Sequence, residues 1–256
     1  MKLDFRKNNR RLNIMLVMLV VCVSIIYNYA GYSQLLSVFR NNSRELPVYC
    51  VDTPEKKIAI SFDAAWGSDY TEALLDILDK YDVKTTFFLV GFWVDKYPEM
   101  VKKIDERGHE IGNHSSSHPH MSQLSKEQII KELTKTSDKI EAITNKKVTL
   151  FRPPFGDYNN RLIQTSRELG IQVIQWDVDS LDYKDYGADS IVKKVLSKVK
   201  NGSIVLFHNN ATYTKDALPI VLENLQKEGY KIVPVSELIY KENYYIDHTG
   251  MQKLLR

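Results

Sequence analysis

His109-Glu110-Ile111-Gly112-Asn113-His114-Ser115-Ser116-Ser117-His118 carries the decisive reading of this chain. A short apolar segment, residues 109–112, runs as a predicted strand into a turn holding two imidazoles four residues apart. That spacing lets both rings converge on one ion when the turn is helical, and histidine is the commonest protein ligand for zinc-like metals. Taken alone, two histidines in a polar loop are surface residues. What raises their significance is that other polar clusters recur along the chain, each just after a predicted strand.

Those strands are legible from patterning. Residues 58–62 and 85–90 are rich in β-branched and aromatic side chains, and further candidates follow at 148–151, 171–176, 203–207 and 231–235. Helical spacing links them. Leu74, Leu75, Ile77, Leu78 and Tyr81 share one face, Pro98 opens a helix that Gly108 closes, and Ser125 with Gln128 has the form of a capping box. Seven strands alternating with helices predict an α/β fold, a distorted (β/α) barrel of about seven parallel strands. Reactive groups of such barrels stand where strands end. Asp63, His114, His118, Arg152, Asp179 and His208 all fall at or just past a predicted strand end.

The chain has 256 residues, 43% of them hydrophobic, and a formal net charge of +3. It carries no extended run of like charge, so composition predicts no nucleic-acid partner. Charge is concentrated at the start. Lys2, Arg6, Lys7, Arg10 and Arg11 precede an apolar run from Ile14 to Ala30, with Tyr27, Tyr29 and Tyr32 at its far end. Such a run is long enough to cross a bilayer, with the basic end in the cytoplasm. A cleaved signal peptide is the competing reading, against which Tyr27–Ser33 lacks a clean small-x-small cleavage site. The expected organisation is therefore a cytoplasmic segment and transmembrane anchor over 1–33, a linker over 34–55, one catalytic domain over 56–240 and a tail over 241–256. Cys22 and Cys50 fall in different segments and form no disulfide framework. The expected location is the cell membrane, single-pass, with the domain outside, or on the outer side of a forespore membrane.

Each cluster suggests chemistry. Asp63, leaving the first strand, is a candidate general base. Phe151-Arg152-Pro153-Pro154-Phe155-Gly156 fixes a guanidinium in a stiff turn, able to orient a carboxylate and lower its pKa. Trp176 to Tyr183 sets acids around an aromatic residue, and Ile204–Asn209 ends an apolar strand with His208, a candidate general acid. His109, His120 and His248 read as structural or exposed.

The set resembles the polysaccharide deacetylase family, known also as the NodB homology domain or carbohydrate esterase family 4. The likeness runs from about Lys56 to Tyr240, with His114–His118, Arg152–Gly156, Trp176–Asp182 and Leu206–His208 matching four family motifs in order. The resemblance implies metal-dependent removal of acetyl groups from an N-acetylated glycan, here expected to be peptidoglycan, with a divalent metal, commonly zinc. Carried over residue by residue, it makes Asp63 the base tuned by Arg152. His114 and His118 become metal ligands, and His208 the acid oriented by Asp179. Leu206 and Trp176 then line the acetyl slot, and the Phe155 N–H joins the oxyanion site. No protein partner is implied.

The first motif departs from the family pattern, Thr-Phe-Asp-Asp-Gly. Here Ala64 occupies the position of the second Asp, the third metal ligand, and an alanine methyl coordinates nothing. Asp69, on the same loop, is the candidate replacement. Phe62-Asp63-Ala64-Ala65-Trp66-Gly67 most resembles sporulation-associated branches of the family. The alternative reading is a catalytically inactive glycan-binding or structural cell-wall protein on the same fold.

Overall fold

A computed structural model describes residues 44–255, with residues 18, 19, 21, 22, 24 and 25 of the amino-terminal segment. The chain divides into residues 1–44 and a larger unit over residues 45–256. β1 (Cys50–Val51) and β2 (Lys57–Ala64) are followed by α1 (Thr71–Lys80), β3 (Thr86–Leu89), α2 (Gly91–Lys96), α3 (Pro98–Glu106) and β4 (Glu110–Asn113). Next come α4 (Lys126–Thr144), β5 (Leu150–Phe151), α5 (Asn160–Glu168), β6 (Gln172–Val173), β7 (Val178–Asp179) and α6 (Ala188–Leu196). The last elements are β8 (Ile204–His208), α7 (Thr214–Lys227), β9 (Lys231–Val233), α8 (Val235–Leu238), β10 (Tyr244–Ile246) and β11 (Met251–Leu254).

Every pairing in the main sheet is parallel, in the order β6-β5-β4-β3-β2-β8-β7, with β9 paired to the start of β2. The expected α/β barrel of parallel strands is thus present in open form, because β6 and β7 end the row without pairing to each other. Side chains alternate across β2. Ile58, Ile60, Phe62 and Ala64 join the core under the helices, whereas Ala59 packs in a second cluster with Phe88, Leu150 and Ile204. Ser61 and Asp63 continue that inner face toward the carboxyl end, where the polar site lies. α4 starts at the expected capping box, Ser125 and Gln128 each bonding the other's backbone.

Two boundaries move. From Glu45 onward the expected linker belongs to the folded unit: Val48 bridges Ile174 beyond β6, and Cys50 bridges Ser203 before β8. The expected tail over 241–256 contains β10 and β11, an antiparallel hairpin whose second strand pairs in parallel with β1. β1 lies close against the β8 side, with the Val51 N–H bonded to the Gly202 carbonyl at 2.9 Å. Among the described residues no helix is long and apolar enough to cross a membrane. The run from Ile14 to Ala30, on which the transmembrane expectation rests, lies largely outside the described residues.

Candidate active site

Asp63 sits near the end of β2, and parallel pairing sets it in register with His208 at the end of β8. Register is the reason two residues 145 positions apart become neighbours. The Asn209 N–H bonds the Asp63 carbonyl at 3.1 Å and holds the two strand ends together. Arg152, just beyond β5, is fully buried and reaches across the barrel interior. Its Nη1 donates to Asp63 Oδ1 at 2.9 Å, and its Nη2 donates to Ser61 Oγ at 2.8 Å and to the Gln175 carbonyl at 3.1 Å. The guanidinium also lies 4.2 Å from the centre of the Phe88 ring. Burial by itself raises the Asp63 pKa, but the charges of His114, Arg152 and His208 outweigh it and hold the carboxyl below its usual range. Arg152 is the lasting partner at neutral pH, since burial lowers the pKa of His114.

The two imidazoles of the β4 turn stand side by side, but the turn is not the helical one their spacing suggested: Ser115 (φ 69°) and His118 (φ 58°) are both left-handed. His114 Nδ1 donates to the Arg152 carbonyl at 2.7 Å, leaving Nε2 as a lone pair 3.5 Å from Asp63 Oδ2. The His118 ring centre lies 5.0 Å from that of His114, and burial pushes the His118 pKa down to about 4. Both rings are therefore neutral donors near pH 7. The turn is braced from behind. Asn113 accepts from the Ser115 N–H, Ser115 Oγ accepts from the His118 N–H, and Glu132 Oε2 of α4 accepts from the Ser116 and Ser117 N–H groups. Glu132 was not predicted, because only the packing of α4 on β4 brings it to the turn.

A third metal donor is missing. Ala64 is fully buried in the helix-side core, and Asp69, the expected replacement, is exposed and outside the cavity lining. Among the described residues no group of three or more His, Cys, Asp or Glu side chains is placed to hold a metal ion. Catalytic zinc sites keep three protein ligands, so the donor set falls short of that requirement.

A second polar cluster surrounds His208. His208 Nδ1 stands 2.7 Å from Asp182 Oδ1, and Asp182 Oδ2 accepts from the His208 N–H at 2.8 Å and from Thr214 Oγ1 at 2.7 Å. Asp182 is fully buried. Burial lowers the His208 pKa, but the hydrogen bond and charge of Asp182 outweigh it, so the imidazole titrates above its ordinary value. Asp182, not the expected Asp179, therefore orients the His208 imidazole. Asp179 instead accepts from the Leu181 N–H at 2.9 Å, and burial raises its pKa. The two acids stand three apart in one motif, and only the left-handed turn at Leu181 (φ 56°) selects Asp182.

Asp63, His114, His118, Phe155, Trp176, Asp179, Leu206 and His208 all line one cavity of about 600 Å³. Arg152 stands behind its wall. Phe155 adopts φ 59° in the Pro153-Pro154 turn and is 62% exposed at the rim. Trp66 and Tyr183 also line it, the latter with its ring edge-on to His208 at 5.2 Å. A carboxyl whose pKa is lowered, an imidazole whose pKa is raised and the apolar side chains of Leu206 and Trp176 thus face one cavity.

Comparison with known proteins follows the same lines. The family model described as polysaccharide deacetylase matches residues 51–174. A peptidoglycan-N-acetylglucosamine deacetylase of Bacillus cereus is 39% identical over 194 residues, covering 74% of this chain and 91% of that protein. The uncharacterized protein YlxY of Bacillus subtilis is 35% identical over 209 residues, 81% of this chain, which spans only 65% of that protein's length. Among solved structures, a CE4 family pseudoenzyme of Bacillus anthracis superposes with a TM-score of 0.73 at 37% identity, over 75% of this chain and 68% of that one. A mutant of that pseudoenzyme with restored enzymatic activity gives the same TM-score at 38% identity, over 75% of this chain and 70% of that one.

Proposed function

Because this chain belongs to the polysaccharide deacetylase family, we propose that it hydrolyses the acetamido group of an N-acetylated cell-wall glycan, most directly peptidoglycan. The observation that carries the reading is the in-register pair Asp63 and His208, a carboxyl whose pKa is lowered facing an imidazole whose pKa is raised by Asp182. Asp63 takes a proton from water as the oxygen attacks the acetyl carbonyl. The Phe155 N–H donates to the developing oxyanion, on a turn fixed by two prolines. His208 Nε2 then passes its proton to the amide nitrogen, the C–N bond breaks, and acetate and a free amine leave. Leu206 and Trp176 enclose the methyl group.

Two neutral imidazoles are a partial site for a divalent ion, zinc by donor type, and such an ion when bound would polarise the acetyl carbonyl. Basic residues 2–11 ahead of the apolar run to Ala30 support a membrane tether with the domain on the outer face. The first motif supports a role in sporulation.

Ala64 favours a second reading, a glycan-binding domain without turnover, and a pseudoenzyme among the structural neighbours is in keeping with it. The deciding experiment uses the full-length chain, with and without added zinc. It measures bound metal and acetate released from N-acetylglucosamine oligomers and from peptidoglycan. The deacetylase reading expects acetate release that His114→Ala and Asp63→Asn both abolish. Glycan binding with no acetate at any zinc level establishes the second reading instead.

A further inference from the structure

The loop that leaves Asp63 is tied to the strand that carries His208 through one residue. Asn209 follows His208, lines the cavity and is 1% exposed. Its N–H bonds the Asp63 carbonyl at 3.1 Å. Its side-chain Nδ2 donates to the Gly67 carbonyl at 3.0 Å and to Thr71 Oγ1 at 3.0 Å. Asp63 stands before the loop between β2 and α1, Gly67 at its bend (φ 66°) and Thr71 at its end. All three share one partner.

The contact demands a donor. A carbonyl oxygen only accepts, so the group facing Gly67 must bring a hydrogen, and the Asn209 NH2 brings two, one for each acceptor. A carboxylate of the same shape offers neither and sets a charge against the Gly67 oxygen in a buried place. The Gly67 carbonyl has a second donor in Trp93 Nε1 of α2, at 2.7 Å, and the indole is fully buried. A Cβ at Gly67 would meet the Asn210 amide at 2.5 Å, so the bend leaves no room for a side chain. It is pinned from β8 and from α2 at once. Between it and Asp63 lie Ala64 and the cavity-wall residues Ala65 and Trp66.

We propose that Asn209 is a positioning residue of this site, whose side-chain amide sets where the Asp63–Gly67 segment stands relative to His208. Both amide hydrogens are engaged by the loop, so Asn209 acts through Asp63 and Trp66 and not on the reacting atoms. A displacement of about 1 Å at a reacting group costs on the order of 100-fold in rate. The effect on turnover rests on the deacetylase reading; the placement of the loop does not.

The chain has three tryptophans, and their indole N–H signals in isotope-labelled full-length protein read the loop directly by NMR. Trp93 reports the Gly67 bond, Trp66 the cavity wall, and Trp176, beyond β6, is the internal reference. Asn209→Asp keeps the volume and removes both donors. Thr71→Val removes one acceptor at nearly constant shape and decides the matter where the first variant does not fold. In Asn209→Asp the Trp66 and Trp93 signals are expected to move and Trp176 to stay, with the Trp93 N–H exchanging with water about tenfold faster. Acetate release is expected to lose roughly 30-fold in kcat while KM changes by less than about threefold. Thr71→Val is expected to follow the same pattern with a loss of about fivefold. Trp66 and Trp93 signals that stay in place overturn the proposal, and so does movement of all three signals together in Thr71→Val, which is general loosening. An unchanged kcat in a variant whose loop signals have moved also overturns it, and leaves the deacetylase reading standing. Loop signals that move alone, in a protein whose wild type releases no acetate, sink the deacetylase reading and keep Asn209 as the clamp of a binding site.

Discussion

His208 Nδ1 lies 2.7 Å from Oδ1 of the fully buried Asp182, while the nearer-looking candidate, Asp179, bonds its own turn at the Leu181 N–H. A buried carboxylate in that position fixes the imidazole tautomer and favours its charged form, so Nε2 carries the transferable proton. Asp182→Asn removes the charge that outweighs burial, and the His208 pKa must fall. His208 is an acid only below its pKa, so the alkaline limb of the kcat/KM profile is expected to move to lower pH. The rate near neutrality is expected to drop roughly 100-fold. Asp179→Asn removes only a smaller charge contribution to His208 and keeps the Asp182 hydrogen bond, so it should move that limb much less. A pH profile of acetate release that is unmoved in the Asp182 variant would reject the assignment.

Arg152 and Asp63 form a buried pair whose members are nearly useless apart. Arg152→Met strands the Asp63 carboxylate with only the imidazoles of His114 and His208 nearby, and removal of one partner of a buried pair costs about 3–5 kcal/mol. The sign against pH also reverses. In wild type the lowered Asp63 pKa adds stability above the unfolded value, and this is lost as pH falls through the folded pKa. In the variant burial prevails, the pKa rises, and protonation becomes favourable to folding. Urea unfolding at pH 7 and near pH 4 should therefore show the difference between the two proteins narrowing in acid. A difference that is constant with pH would mean that Arg152 contributes packing alone.

Much of this arrangement was open to reading in the chain itself, and the reason is physical. β2 announces itself because Ile58, Ile60 and Phe62 face the helices while Ala59, Ser61 and Asp63 face inward, an alternation that only a sheet requires. The imidazoles of His114 and His118 were recognisable from spacing, since their turn is local. What was not legible depends on distant partners. β7, Val178–Asp179, is two residues long and exists through its pairing with β8. The hairpin of β10 and β11 carries little apolar periodicity and is defined by its union with β1. Asp182 could not be told from Asp179, because the choice turns on a positive φ at a leucine, which no residue preference signals. Where Asp69 stands was hidden for a similar reason: it follows a turn through Gly67 (φ 66°) and is exposed, outside the cavity lining.

Gly202 tests whether β1 is integral to the fold. Its φ of 79° is a region that side-chain-bearing residues rarely adopt, and a Cβ there would run into the Val51 carbonyl oxygen. Gly202→Ala therefore combines backbone strain with separation of β1 from the strand that leads into β8. The expected loss is about 2–4 kcal/mol, or a fall in Tm of several degrees for a chain of this size. Gly170→Ala, at φ 71° with no atom within 4 Å of the added methyl, carries the strain without the collision and should lose about 1 kcal/mol. Equal losses in the two variants would show that β1 is only loosely held.

Ala64→Asp asks whether the two imidazoles are already arranged for a metal. The position is fully buried against the helix-side core, and the cavity is lined by Asp63 and Ala65 on either side of it. A carboxylate there has two fates. Without metal it is a buried charge lacking a partner, so the chelator-treated variant is expected to be less stable than wild type by roughly 1–3 kcal/mol. With metal it turns toward His114 and His118 and completes a set of three ligands. Zinc affinity is then expected to rise by roughly 100-fold or more, and saturating zinc to restore the Tm above that of the metal-free variant by several degrees. Wild type should respond far less, having two neutral donors only. Zinc titration by calorimetry and thermal unfolding with and without the ion read both effects. A variant with wild-type stability and no zinc response would mean that His114 and His118 are held by Arg152, Ser115 and the surrounding rings for some purpose other than gripping an ion.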